Sequence, residues 1–413
     1  MNLLLSLSAL LITIFLMQAG SGALAPLDAL SAIELNFTST QIGAIGGAHF
    51  IGFIVGCIIS PALVKRVGHA RAYGVIASLA IIAVILHPML PYFWAWFALR
   101  IFNGIAIAGS FTAIESWLHA KLNNKNRARY FSFYRMIDMI GGLIAQTMII
   151  ILVPAHFISY SVIALLICLS LFPLGLTQSV QPQMPQQERF RPLFAYQISP
   201  LAVIGVIVVG ATSSVVRMIG PLFAYKTNLT TAQTGIFLSL FVIGGALAQL
   251  PLGYLTERYS NRQMLASLSL FAVASSLTFH FFDQIDIAGI PLVFILVFLF
   301  GVSTMPLYSL CATHANNLTK EKDMTALSAS LIFFFAAGAI VSPIFAGKLI
   351  EWLGPTAMFS YFAALHFTLL SYTLYRVRKR PNVPTNKTYM YIPRTTLFIA
   401  QTIRSLRVRK SKP

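Results

Sequence analysis

Acidic residues are scarce in this sequence. Its 413 residues include 11 Asp and Glu against 29 Lys and Arg, and the four charged types together make up 10%. A soluble domain is about a quarter charged, so a surface this poor in charge faces lipid rather than water. Cysteine is scarce too, and Cys57, Cys168 and Cys311 all fall inside apolar runs. An odd number at such positions gives no disulfide framework and no zinc-type ligand spacing, so they read as small packing residues. No Gly-x-x-x-x-Gly-Lys-Ser/Thr loop occurs, so nothing cradles the phosphates of a nucleotide. Nor is there the carboxylate pair or ligand set of an intramembrane enzyme. The sequence calls for no cofactor, no metal and no enzymatic activity.

What it has in abundance is apolar length. Hydrophobic residues make up 57% of the chain. About twelve segments are each long enough to cross a hydrocarbon core of ~30 Å. They lie near 4–30, 40–64, 72–92, 93–119, 131–153, 157–177, 201–226, 231–256, 264–283, 288–317, 324–350 and 355–375. In lipid each backbone amide must be satisfied within its own segment, which makes the segments helices. The expected fold is an all-α membrane protein of twelve spans. The first 25 residues also look like a secretory signal ending in Ala23-Leu24-Ala25, but no Lys or Arg precedes the apolar run and Pro26 follows it. An uncleaved first span, broken up by Gly20, Gly22 and Pro26, is the expectation.

The formal net charge is +18, which invites a nucleic-acid reading. Its placement argues against one. Of the 29 basic residues, 11 lie after Tyr375 and 13 lie in the alternate loops 65–71, 121–129, 189–191, 258–262 and 320–322. That alternation is the positive-inside pattern, and it puts both termini in the cytoplasm. The tail after Tyr375 holds no acidic residue, and Ile399, Ile403 and Leu406 fall at helical spacing beside Arg404, Arg407 and Lys410. It reads either as a cationic helix on anionic lipid or as a disordered basic tail.

An offset of 192 aligns Thr38-Ser39-Thr40-Gln41-Ile42-Gly43 with Thr230-Thr231-Ala232-Gln233-Thr234-Gly235. Without a gap, Gly52 then meets Gly244 and Arg66 meets Arg258. Between the copies lies a Gln- and Pro-rich stretch, 178–200, which reads as a solvated linker. The expected organisation is a six-helix bundle over 1–177, a linker over 178–200, a second bundle over 201–375 and a basic tail over 376–413. Duplicated bundles of this kind bind solute near mid-membrane and rock about it.

These residues resemble the major facilitator superfamily of transporters. The family's turn between spans two and three has its counterpart in Lys65-Arg66-Val67-Gly68, and more closely in Gly253-Tyr254-Leu255-Thr256-Glu257-Arg258. Its acidic position is Lys65 in the first copy and Glu257 in the second, which puts the loop's ion-pair latch in doubt for the first. Arg100-Ile101-Phe102-Asn103-Gly104 matches the family's fourth-span pattern, whereas the Gly-Pro ending of its span-five antiporter motif is missing after Gly141-Gly142. Glu115-Ser116-Trp117-Leu118, Asn126-Arg127-Ala128-Arg129 and Pro306-Leu307-Tyr308 are similar to the YcaD-like branch. The resemblance implies a role for Arg100 in proton coupling, and latch roles for Arg66, Glu257 and Arg258.

Charge at bilayer depth costs ~2.5–3.5 kcal/mol per residue on insertion scales, so each such residue is a candidate. Glu115 and Arg135 flank the basic turn at similar depth, and Arg135 and Asp138 are spaced to pair on one helix. The three form either a gate with a titrating carboxylate, Glu115 being the freer, or a static cluster fixing two helices. Arg100 and Glu115 are ~22 Å apart along one helix and so are separate sites. Arg100 either couples protons or snorkels outward. Arg217, mid-span before Gly220-Pro221, is a candidate for an anionic group. Gln18, Gln249, His314 and Asn317 are cavity candidates or interhelix hydrogen bonders. Asp28 and Glu34 are expected to be solvated. The reading is a monomeric, proton-driven secondary transporter of a small organic solute in a bacterial cytoplasmic membrane. An uncoupled facilitator and a membrane-embedded solute sensor are the alternatives.

Overall fold

The computed structural model describes residues 3–122, 127–177, 191–282, 286–287, 290–320 and 323–379. The helices of the first part of the chain are α1 (Leu3–Glu34), α2 (Ser39–Val67), α3 (His69–Met89), α4 (Phe93–Lys121), α5 (Arg127–Met148), α6 (Phe157–Leu169) and α7 (Leu171–Gly175). After the undescribed stretch 178–190 come α8 (Phe194–Ile198), α9 (Pro200–Met218), α10 (Gly220–Lys226), α11 (Thr231–Arg258) and α12 (Asn261–Phe282). A pair of two-residue antiparallel strands, Asp286–Ile287 and Ile290–Pro291, precedes α13 (Leu292–Thr304), α14 (Leu307–Asn316), α15 (Met324–Leu353) and α16 (Ala357–Lys379). By length and composition, 10 of the described helical stretches can cross a membrane. The two long helices outside that set are α5, which carries Arg127, Arg129, Arg135 and Asp138, and α12. Most of the linker and all of the tail beyond Lys379 lie outside the described residues, as does the side chain of Glu257.

The sequence repeat reappears as local geometry. Thr38 accepts from the Gln41 amide while Gln41 Oε1 accepts from the Thr38 amide, closing a capping box at the start of α2. Thr230 and Gln233 close the same box at the start of α11. Each box satisfies backbone donors that a helix start leaves unpaired.

Glycine then sets how closely the helices approach. A Cβ on Gly52 of α2 would strike the Ile101 carbonyl of α4, and one on Gly104 would strike the His49 carbonyl in return. Gly244 and Gly301 make the same reciprocal pair between α11 and α13, against the carbonyls of Phe298 and Phe241. Backbone contact of this kind is what small residues provide where lipid supplies no hydrophobic drive for helix association.

The first span is not broken as its glycines and proline predicted. α1 runs unbroken through Pro26 to Glu34. Proline leaves the carbonyl four residues earlier without its amide partner, and that carbonyl, Gly22 O, accepts instead from Gln146 Nε2 of α5 at 3.1 Å. The helix continues because a neighbour's side chain satisfies the freed group. The second-half counterpart does break: α9 ends at Met218 and α10 restarts at Gly220-Pro221.

Candidate functional site

A cavity of about 230 Å³ lies among α1, α2, α4, α5, α9, α11 and α15. Its polar wall is Gln18, His49, Arg100, Arg135, Asp138, Gln146 and Arg217, with Ser213 and Ser214 beside the last. Its apolar wall includes Phe50, Phe53, Phe111, Phe335 and Met305. Four of the charges singled out in the sequence therefore meet at one space.

Arg100 does not snorkel. It is buried, and its guanidinium lies 3.5 Å from the Asp28 carboxylate of α1. Asp28 is fully buried, contrary to the solvated position expected for it. The expectation ended the first span at Leu30, but α1 continues to Glu34 and holds Asp28 inside the bundle. The second Asp28 oxygen accepts from the Tyr160 hydroxyl at 3.1 Å, and His87 Nε2 stands 3.5 Å from the first. His87 is held by its own helix through Nδ1 and the Ala83 carbonyl at 2.6 Å, and it stacks on Tyr160. Four helices thus converge on one carboxylate, which pairs the charge of Arg100 at a depth where an unpaired ion is expensive.

Deeper along the α4–α5 hairpin is the second cluster. Arg135 lies 3.1 Å from Asp138, the pair that the spacing predicted, and 3.6 Å from Glu115. The Tyr134 hydroxyl donates to Glu115 at 3.3 Å. Arg135 stands closer to Asp138 than to Glu115, as the spacing implied, but Glu115 is the less accessible of the two acids. Its side chain is fully buried, whereas that of Asp138 is 15% exposed and lines the cavity. Asp138 lies on the cavity wall and Glu115 does not.

Arg217 projects from the last turn of α9 into the cavity and is exposed there. It lies within electrostatic range of Asp138 across the space, and His49 within range of both Arg100 and Arg217. Gln18 lines the cavity as expected; Gln249, His314 and Asn317 do not. His314 is buried near Arg262 and Arg376, toward the end of the bundle that carries the basic loops. Arg66 and Arg258 are exposed on the last turns of α2 and α11, where Arg258 packs on Tyr254. Sequence reasoning missed Asp28, His87, Tyr160, His49 and Gln146. For Asp28 a signal existed: Ala29-Leu30-Ser31-Ala32-Ile33 keeps the run apolar beyond it.

The sequence model of the Major Facilitator Superfamily matches residues 10–200 and 201–410, meeting where α9 begins. The chain belongs to the Major Facilitator Superfamily. It is 23% identical over 375 residues to the uncharacterized MFS-type transporter YcaD of Salmonella typhi, covering 90% of this chain and 96% of that protein. The nucleoside transporter NupG has the same fold, with a TM-score of 0.77 at 16% identity over 92% of this chain and 100% of that one. So does a bacterial homolog of the human lysosomal transporter Spinster, crystallised inward-facing and unoccupied, with a TM-score of 0.69 at 14% identity over the whole of both chains. This Major Facilitator Superfamily member is accordingly a multi-pass membrane transporter and not an enzyme, and the YcaD-like resemblance holds.

Proposed function

We propose that this transporter is a proton-driven secondary carrier that moves a small organic solute by alternating access. In this reading α5 and α12 join the 10 candidate spans to make twelve. The twelve form two six-helix bundles, 1–177 and 201–375, hinged by 178–200. The alternating basic loops set both termini on the cytoplasmic side of a bacterial cytoplasmic membrane. The basic tail, 376–413, then meets anionic lipid. The carrier works as a monomer.

One observation carries the reading. The cavity draws its walls from helices on both sides of residues 178–190, while the close backbone approaches across that divide gather at one end. There Gly43 and Gly47 of α2 meet the Pro343 and Ile340 carbonyls of α15, and Gly235 of α11 meets Ile150 just beyond α5. The α2–α15 contact and the α5–α11 contact exchange the same two repeat positions, Gly43 and Gly235. Two related bundles closed at one rim around a polar cleft are the resting state of a rocking carrier. On the loop polarity above, the closed rim is external and the state is inward-facing.

Protons enter through the second cluster. Glu115 and Asp138 both approach one arginine, so the three charges sum to a net negative one, and a proton on the accessible Asp138 cancels it. The test is flux in proteoliposomes. Solute accumulation driven by an imposed pH gradient supports the reading; flux indifferent to the gradient makes the protein a facilitator; no flux of any solute leaves a sensor.

A further inference from the structure

The three arginines of the cavity are not equivalent. Arg100 has Asp28 behind it, and Arg135 is gripped by Glu115 and Asp138. Arg217 makes no ion pair among the described residues, yet it sits deep in the bundle with its side chain open to the cavity. A cation at that depth is kept where it faces a polar path or a ligand.

Its surroundings favour negative charge. His49 of α2 presents a buried Nδ1 atom with no hydrogen-bond partner, on the cavity wall within electrostatic range of Arg100 and Arg217. The α2–α4–α9 corner therefore offers two guanidinium groups and an orphan imidazole nitrogen. Asp138 of α5 is the one carboxylate on the cavity wall, and Arg135 already holds it at 3.1 Å. The rest of the wall includes the rings of Phe50, Phe53, Phe111 and Phe335, and Phe50 stands edge-on to His49 at 5.2 Å. At about 230 Å³ the space falls just under the ~300–1,000 Å³ usual for small-molecule sites.

We infer that the solute of this cavity is a small free organic acid, its anionic group taken by Arg217 beside His49 and its apolar body laid against the phenylalanine wall. A planar guanidinium suits this role, because it gives two parallel hydrogen bonds to a carboxylate or phosphonate where an ammonium gives a point charge. The inference rests on the transporter reading for its physiological meaning, but binding can be measured without transport.

The experiment is a thermal-shift titration of the purified full-length chain in neutral detergent with matched probes: phenylacetate against phenylacetamide and phenethylamine, and hexanoate against hexanamide. The expected result is stabilisation by an acid and none by its amide or amine. In Arg217→Ala the acid should bind about ten- to a hundred-fold more weakly, as expected for losing hydrogen bonds to a charged group. Arg217→Lys should keep an intermediate affinity. Elution of both variants as monodisperse protein shows that they fold. Equal response to acid and amide in both pairs, no response to either acid, or full retention in Arg217→Ala overturns the inference. Phosphatidylglycerol that removes the acid's effect through Arg217 would assign the site to a lipid headgroup and overturn it equally. Acid binding without flux leaves the inference standing and sinks the carrier reading. Flux confined to neutral solutes does the reverse.

Discussion

The carboxylate of Glu351, at the end of α15, caps the start of α2 through Thr40, 311 residues away. One oxygen accepts from the Thr40 amide at 2.9 Å and the other from the Thr40 hydroxyl at 2.9 Å. A carboxylate at a helix N-terminus meets both unpaired N–H groups and the positive end of the helix dipole. Because the two helices come from opposite halves of the chain, the contact also ties those halves together at that end. Glu351 is exposed, so the net worth is that of a surface pair, about 0.5–1 kcal/mol.

Glu351→Gln should therefore shift the open–closed balance at that rim by roughly two- to five-fold toward open. Spin labels on Asn36→Cys and Leu353→Cys, in a chain without its native cysteines, report the rim distance. A distance distribution unchanged by the substitution would mean that glycine packing between α2 and α15 alone holds the rim.

The hydrogen bond from Gln146 to Gly22 O yields a second prediction. The bond exists because Pro26 has no amide to offer. Gln146→Leu should cost about 1 kcal/mol of stability by orphaning a half-buried carbonyl. In a Pro26→Ala background the cost should largely disappear, since the alanine amide restores the helix's own bond. The two substitutions must then couple in a double-mutant cycle of detergent melting curves. Additive effects would show that Gln146 stabilises α1 by packing alone.

The Asp28–Arg100 pair is buried on both sides, and breaking it should be severe. Asp28→Ala strands Arg100 and should destabilise by roughly 3–5 kcal/mol, seen as lost expression or a large fall in melting temperature. Replacing both, as Asp28→Leu with Arg100→Met, should recover much of that loss, because an apolar pair asks nothing of the bundle. If the double variant melts as low as Asp28→Ala, then Tyr160 and His87 depend on the carboxylate as much as Arg100 does.

The repeated Thr-x-x-Gln at 38–41 and 230–233 and the Arg135–Asp138 pair were legible in the sequence, because each is a local pattern of three or four residues. The membrane helices were legible for a related reason: lipid forces a long apolar run to be one. The Asp28 cluster was not, since it joins α1, α3, α4 and α6, and no spacing rule links Asp28, His87, Arg100 and Tyr160. The orientation of Glu115 failed similarly. Depth along the hairpin follows from counting residues, but which acid reaches the cavity and which is buried is a tertiary fact. Pro26 misled for the opposite reason. Its local rule is correct, and the partner that overrides it is 120 residues away, at Gln146.

The last prediction separates the two carboxylates that share Arg135. Asp138 lines the cavity within electrostatic range of Arg217, whereas Glu115 is fully buried and accepts from Tyr134. If protons couple through this cluster, the exchangeable site is Asp138. Asp138→Asn should abolish gradient-driven accumulation while leaving solute counterflow in proteoliposomes, because the variant still rocks but carries no proton. Glu115→Gln should leave coupling in place and lower the melting temperature, since it removes a buried charge that Arg135 and Tyr134 approach. The reverse pattern, with Glu115→Gln uncoupled and Asp138→Asn still accumulating solute, would move the proton to the buried acid. Coupling would then require Arg135 to leave Glu115 during the cycle, a motion measurable as a change in the distance between α4 and α5.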